Sequence, residues 1–308
     1  MTALAAVAGC TLQTSTQAPP PLPSEQPLPQ LIIASPKESS AYLRNYYARI
    51  QATGLVHDQL RTDGGGPDTP YTEAMLARNF ERIAFNGEFS TIEERRVLKE
   101  HAIKLTRWVK PVRFRLHFGN DVPEDQREID RQVFAPYIAR LGRLTGHPIS
   151  AVPERIPLGA NFTVYILTED ERRAMGPTLR STISGISAAD MHEIVNMRRD
   201  TQCVIFVRNR DDNNHIERAF AIIRAELPDL MRAACLHEEL AQGLGLLNDS
   251  PLARPSIFND SDEFGLLTSH DELLLQMLYD KRLQPGMTAD EARPIFTKIA
   301  AELMGGSA

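Results

Sequence analysis

The stretch Cys235-Leu-His-Glu-Glu-Leu-Ala-Gln-Gly-Leu-Gly-Leu-Leu-Asn-Asp249 decides how this chain is read. Pro228-Asp229 starts the helix that carries it, with Asp229 the expected N-cap. Gly245 ends the helix and allows the chain to turn back across its face. His237-Glu238 invites a zinc-binding interpretation. A His-Glu-x-x-His helix needs two histidines four apart, because one turn then brings both ring nitrogens to one ion. Position 241 is alanine. That register supplies one ligand and fails, so His237 is expected to be an ordinary packed or exposed histidine.

A second register begins one residue later. Glu238, Glu239, Gln242, Gly245 and Asn248 fall on the spacing His-Glu-x-x-His-x-x-Gly-x-x-His/Asp, with the Glu and Gly matched and every histidine replaced. The run Gly243-Leu-Gly-Leu246 is similar to the Ala-Leu-Gly-Leu of matrixin-type metzincins. Downstream, Ser256-Ile257-Phe258 resembles the Ser-Ile-Met turn of those enzymes, with Phe258 in the place of the methionine. Leu267, Asp271, Leu278 and Tyr279 then repeat the spacing of the helix that follows. Upstream, Arg107-Trp108-Val109-Lys110-Pro111-Val112 resembles the Trp-x-x-Pro-Val that leads into the first strand of such domains. The resemblance implies a zincin-like, metzincin-like α+β domain with a small mixed sheet, a long helix and a site helix.

Cys235 to Asp249, Ser256 to Asp260 and Leu278 to Met287 together also resemble recurring phrases of a family of Gram-negative lipoproteins that carries a domain of unknown function. That likeness covers roughly residues 70–300 and is most specific in its last third. It supports a fold and leaves activity open.

The altered helix narrows the chemistry. Glu238 and Gln242 would offer oxygens from one face, and Asn248 or Asp249 a third after the turn. Such a set disfavours zinc and suits calcium or another oxygen-preferring divalent ion. Glu239 stands at the position of a catalytic general base, but without a Lewis acid to acidify water it could not attack a peptide efficiently. Three readings stay open: a buried hydrogen-bond network tying the helix to the Asn-Asp turns, an oxygen-ligated ion, and a zinc hydrolase. None of His57, His101, His117, His147, His192, His215 and His270 shows ligand spacing, and no nucleophile elbow, P-loop or dinucleotide fingerprint occurs. The expected function is therefore a non-catalytic binding or assembly module for an envelope protein or peptide. The alternative is an atypical metallohydrolase acting on envelope peptides.

The rest of the chain supplies the setting. Val7-Ala8-Gly9-Cys10 matches a bacterial lipobox after a short apolar segment, which makes residues 1–9 a truncated lipoprotein signal peptide and Cys10 the lipidation site. Residues 10–35 are a Pro-rich tether that cannot build a core. A lipid anchor places the folded part in the periplasm, with the outer membrane favoured. In that oxidising compartment the remaining Cys203 and Cys235 are expected to pair. A net charge of -6 gives no reason to expect nucleic acid. Residues 36–105 are expected to be a helical N-terminal portion, with helices over 39–52, 72–85 and 91–105. Residues 106–308 form the zincin-like domain: strands at 112–118, 161–167, 202–207 and 219–225, a long helix over 123–144 that Pro136 is expected to kink or divide, and two helices over 267–283 and 288–304.

Overall fold

The alternation of Val112-Arg-Phe-Arg-Leu-His-Phe118 becomes strand β4 (Val112–Phe118), whose apolar residues are buried and whose Arg113 and His117 are exposed. This computed structural model describes residues 38–305 apart from 93–94, 157–158, 183–185, 210–212 and 260. The lipobox, Cys10 and the tether therefore lie outside the described residues. The fold is α+β, as the patterning predicts.

Three parallel strands form the centre of the main sheet: β4, β6 (Phe162–Leu167) and β8 (His215–Arg224). The short β5 (Ile149–Ala151) flanks β4 in parallel. On the other side β7 (Cys203–Asn209) joins β8 antiparallel, and β3 (Arg107–Trp108) pairs with the start of β8. The register sets Phe114 beside Phe162 and Phe162 beside Ala219. Phe114 and Phe162 pack with ring centroids 4.3 Å apart and planes tilted by 30°, and Trp108 stacks over Phe162 at 6.4 Å. Because side chains alternate across a sheet, one face carries Val112, Phe114, Leu116, Val164, Ile166 and Ile223 into the main core. The opposite face carries Tyr165, Leu167, Phe206, Phe220 and Ile222 into a second, smaller core.

Helix α3 (Glu124–Thr145) and the site helix α7 (Asp229–Gln242) cover the first face. They are tied by a buried pair, Arg232 Nε to Asp130 Oδ1 at 2.9 Å, and by Tyr137 donating its hydroxyl to the His237 carbonyl at 2.6 Å. Helix α3 runs undivided through Pro136. That residue and Gln132, whose carbonyl loses its partner, are both exposed, so water can take the freed bond. The N-cap of α7 is Pro228, not Asp229. The Asp229 carboxylate, one residue into the helix, accepts from Arg232 at 2.7 Å instead. Three short helices, α4 (Glu169–Ala174), α5 (Gly176–Thr182) and α6 (Ala188–Val195), cover the second face.

Helices α1 (Ser40–Val56) and α2 (Glu73–Ala84) form near the expected positions, capped by Ser39 and Thr72. The helix expected over 91–105 does not form. Most of that stretch belongs to an antiparallel hairpin, β1 (Asn86–Ile92) with β2 (Arg95–Ala102), and residues 103–105 follow it outside any helix or strand. Glu, Arg, Lys and Leu favour a helix locally, but cross-strand pairing from Asn86–Ala102 to Ile92–Arg95 outweighs that weak preference. Helix α8 (Ser269–Leu278) is shorter than the expected 267–283, and α9 (Ala289–Leu303) starts at the Thr288/Glu291 capping box. Phe80 and Phe85 from the N-terminal part meet Phe296 of α9 at 5.5 and 5.9 Å, so residues before and after position 105 share one core.

Candidate functional site

The site helix is fixed at its middle and at its C-terminal end before any of its polar side chains matter. Cys235 in α7 is bonded to Cys203 at the start of β7, with Cα atoms 5.9 Å apart, as expected. The C-terminal carbonyls of a helix lack intrahelical partners, and here distant residues supply them. Trp108 Nε1 donates to the Gly243 carbonyl at 2.8 Å, and the Tyr279 hydroxyl to the Leu244 carbonyl at 2.9 Å. Arg107 in turn donates to the carbonyls of Leu278, Asp280 and Leu283. The separated motifs thus converge on one helix end. Gly245 is required there: its φ is 128°, and a Cβ would lie 2.2 Å from the Thr106 carbonyl oxygen.

The turn Ser256-Ile257-Phe258 is held by Asp271. That carboxylate accepts from Ser256 Oγ at 2.5 Å, the Ile257 amide at 3.0 Å and Thr268 Oγ1 at 2.8 Å, while Phe258 is fully buried. Its carbonyl accepts from the Ser250 amide, which ties the turn to the segment just after Asp249.

His237 points away from the polar face. Its ring stacks on Tyr137 at 3.9 Å, and Nδ1 accepts the Leu267 amide at 3.0 Å. Burial lowers its pKa to about 3, so it is a neutral packing residue, in line with the expectation from its sequence position.

Glu238, Glu239, Gln242 and Asp249 come together. Gln242 donates through Nε2 to Asp249 Oδ1 at 2.9 Å, and Gln242 and Glu239 are buried. Glu238 is half-buried. Burial, followed by the nearby charges of Asp249, Glu239, Asp262 and Glu88, holds its carboxyl well above the usual carboxylate range. Asn248 does not join this group through its amide nitrogen, which donates to the Arg82 carbonyl at 3.1 Å and approaches Glu100 Oε1 at 3.4 Å. Among the described residues no grouping of three or more His, Cys, Asp or Glu could hold a metal ion.

Glu88, Glu100 and Asp262 are the participants that sequence reasoning missed. Both glutamates come from the hairpin, Glu100 from the part that was expected to be helix and Glu88 from the segment just before it. No local pattern marks them, because what brings them to α7 is pairing across the chain.

Residues 73–298 match the family described as protein of unknown function (DUF2927), and the chain belongs to that family. No curated protein and no solved structure matches it. No described helix is long and apolar enough to cross a membrane.

Proposed function

We propose that this member of the family is an envelope lipoprotein whose metzincin-like frame has given up catalysis and serves as a binding or assembly module. The order of elements supports the frame: a strand after Trp108, a long helix, further strands, and a site helix ending in a glycine turn.

One observation carries the loss of catalysis. At the positions where the resemblance calls for three histidines stand Glu238, Gln242 and Asn248, and both amides spend a donor on the protein itself. The residues do not fit zinc, which favours imidazole and thiolate, so no hydrolytic step is derived through it. Glu239 keeps the position of a general base, and its described neighbours Glu238, Gln242 and Asp249 are not the donors that would hold a zinc ion to acidify a water. What remains is a disulfide-braced helix whose Glu239 and Gln242 are buried and whose half-buried Glu238, with Asp249 beyond the turn, is the acidic part left for an envelope protein or peptide.

The second reading, the atypical metallohydrolase, would use calcium or a similar oxygen-preferring ion to relieve the carboxylates near Glu238, and those described side chains would have to close up to hold it.

The test is a peptidase assay on casein and on envelope-derived peptides with zinc or calcium added. Wild type should cleave no faster than Glu239→Gln. Cleavage that disappears in Glu239→Gln would establish the hydrolase. The localisation half is read separately: labelling with a fatty-acid analogue should be lost in Cys10→Ser, and labelling that persists would remove the lipid anchor from the account.

A further inference from the structure

Helix α1 is held to the body of the protein along one side. Leu43 and Tyr47 enter the main core, the Tyr47 hydroxyl donates to the Arg199 carbonyl at 2.8 Å, and Ser40 Oγ donates to Glu226 Oε1 at 2.6 Å. The opposite side faces outward. Tyr42, Asn45, Arg49, Ala52 and Val56 recur at intervals of three and four, which sets them on one stripe of the helix, and all five are exposed. Ala41, Ala48 and Leu55 run beside that stripe and are exposed as well, with Arg44 on their flank. Tyr42, Leu55 and Val56 are 47%, 50% and 78% exposed, so this one helix concentrates large apolar side chains at the surface.

The charge on this face has one sign. In a chain of net charge -6, α1 contains Arg44 and Arg49 and no aspartate or glutamate. Neither guanidinium has an ion-pair or hydrogen-bond partner among the described residues. Arg199, beside the first turn, is instead paired with Glu38 at 3.1 Å and donates to the Tyr42 hydroxyl. Arg49 stands at the middle of the exposed stripe, so two copies meeting through it, parallel or antiparallel, would oppose Arg49 to Arg49. That disfavours a second copy as the occupant and favours a negatively charged surface. The position of α1 in the chain says which surface. It is the first helix of the described residues, and its N-cap Ser39 follows Cys10 by 29 residues. A flexible chain of that length spans roughly 30 Å, comparable to the about 25 Å length of the helix itself.

We propose that the outward face of α1 rests on an anionic phospholipid surface, with Tyr42, Leu55 and Val56 at the headgroup boundary and Arg44 and Arg49 against the phosphates. The proposal rests on the reading of Cys10 as the lipid anchor, because the anchor is what keeps α1 within reach of that surface. It does not involve the site helix. Each arginine contributes about fivefold in partitioning onto an anionic surface. Two arginines and three apolar side chains therefore make a weak contact, one that orients a domain already anchored and does not replace the anchor.

The test is sedimentation of the full-length Cys10→Ser chain with phosphatidylcholine vesicles, with and without phosphatidylglycerol. Retention on the anionic vesicles should exceed that on phosphatidylcholine and fall as salt is raised. It should drop about fivefold in Arg44→Gln and in Arg49→Gln, and stay unchanged in Arg143→Gln, which removes an exposed arginine from α3. The proposal is overturned by equal retention on both vesicles, by no retention on either, or by a loss in Arg143→Gln as large as in the α1 variants. A dimer in sedimentation equilibrium that Val56→Asp dissociates would assign the face to a second copy and overturn it as well. The anchor fails on a different readout. Fatty-acid labelling that persists in Cys10→Ser would remove the anchor, whereas the vesicle contact is measured on a chain without an acyl group at that position and can fail or stand separately.

Discussion

Replacing Gly245 by alanine should be among the most damaging single-methyl changes in the protein, and two other glycines calibrate how much. Gly146 ends α3 at φ 61°, and a Cβ added there would meet nothing within 4 Å, so Gly146→Ala incurs the left-handed backbone cost alone, about 1 kcal/mol. Gly243 has an ordinary helical φ of -63°, but its Cβ would come within 2.4 Å of the buried Phe162 ring. Gly243→Ala should cost about 1–3 kcal/mol as overpacking. Gly245 combines both problems: φ is 128°, and the obstacle is the Thr106 backbone oxygen at 2.2 Å. Thr106 cannot yield freely, because neighbouring Leu105 is bonded to Met287 and Gly286 through both its amide and its carbonyl. Backbone strain of about 1–3 kcal/mol plus overpacking of similar size gives roughly 2–6 kcal/mol. That is a large share of the roughly 5–15 kcal/mol that holds a typical domain together. Urea unfolding of the three variants side by side should rank Gly245→Ala worst, with failure to accumulate folded protein as the extreme case. If Gly245→Ala is no less stable than Gly146→Ala, the packing of the helix end against residues 105–106 is wrong.

Three further outcomes follow from other contacts. The Cys203–Cys235 bond spans 32 residues, and reducing it, or making the double Cys→Ser change, should lower stability by about 3–4 kcal/mol in the chain-entropy account; an unchanged melting temperature under reductant would contradict this. His237 has a folded pKa of about 3 against an unfolded value near 6.5. Its contribution is therefore complete above pH 6.5 and lost as pH falls toward 3, by up to about 4–5 kcal/mol; His237→Gln should flatten that acid limb, and an NMR titration of the ring near pH 6.5 would refute the assignment. Asp271→Asn sets an amide donor among the donors of Ser256, Ile257 and Thr268, and should cost about 2–4 kcal/mol in thermal or urea unfolding, whereas a loss below 0.5 kcal/mol by the same measure, a value within about the scatter of surface changes, would exclude the network.

Much of the frame was legible because its signals are local. The alternation at 112–118, the capping box at Thr288 and the glycine at 245 each act within a few residues and survive into the structure. The cysteine pairing was legible by elimination once Cys10 was assigned to the anchor. The hairpin at 86–102 was not, since helix-favouring residues there answer to pairing that no short window contains. The helices between β6 and β7 were overlooked although Thr168-Glu171 and Ser187-Asp190 carry capping boxes. In the site, Gln242 reaches Asp249 across the turn that Gly245 allows. The direction of Asn248 depends on Arg82 and Glu100, more than a hundred residues away, and no spacing rule could reach it.

The central claim is that the site helix keeps the frame of a zinc enzyme without its ligands. The most direct measurement is the metal content of full-length protein after zinc loading and dialysis, followed by titration with zinc. The account predicts far less than one zinc per chain and no binding tighter than micromolar, because the converging side chains are Glu238, Glu239, Gln242 and Asp249, with no imidazole or thiolate among them. One zinc per chain that survives dialysis and is lost in Glu238→Ala would contradict it.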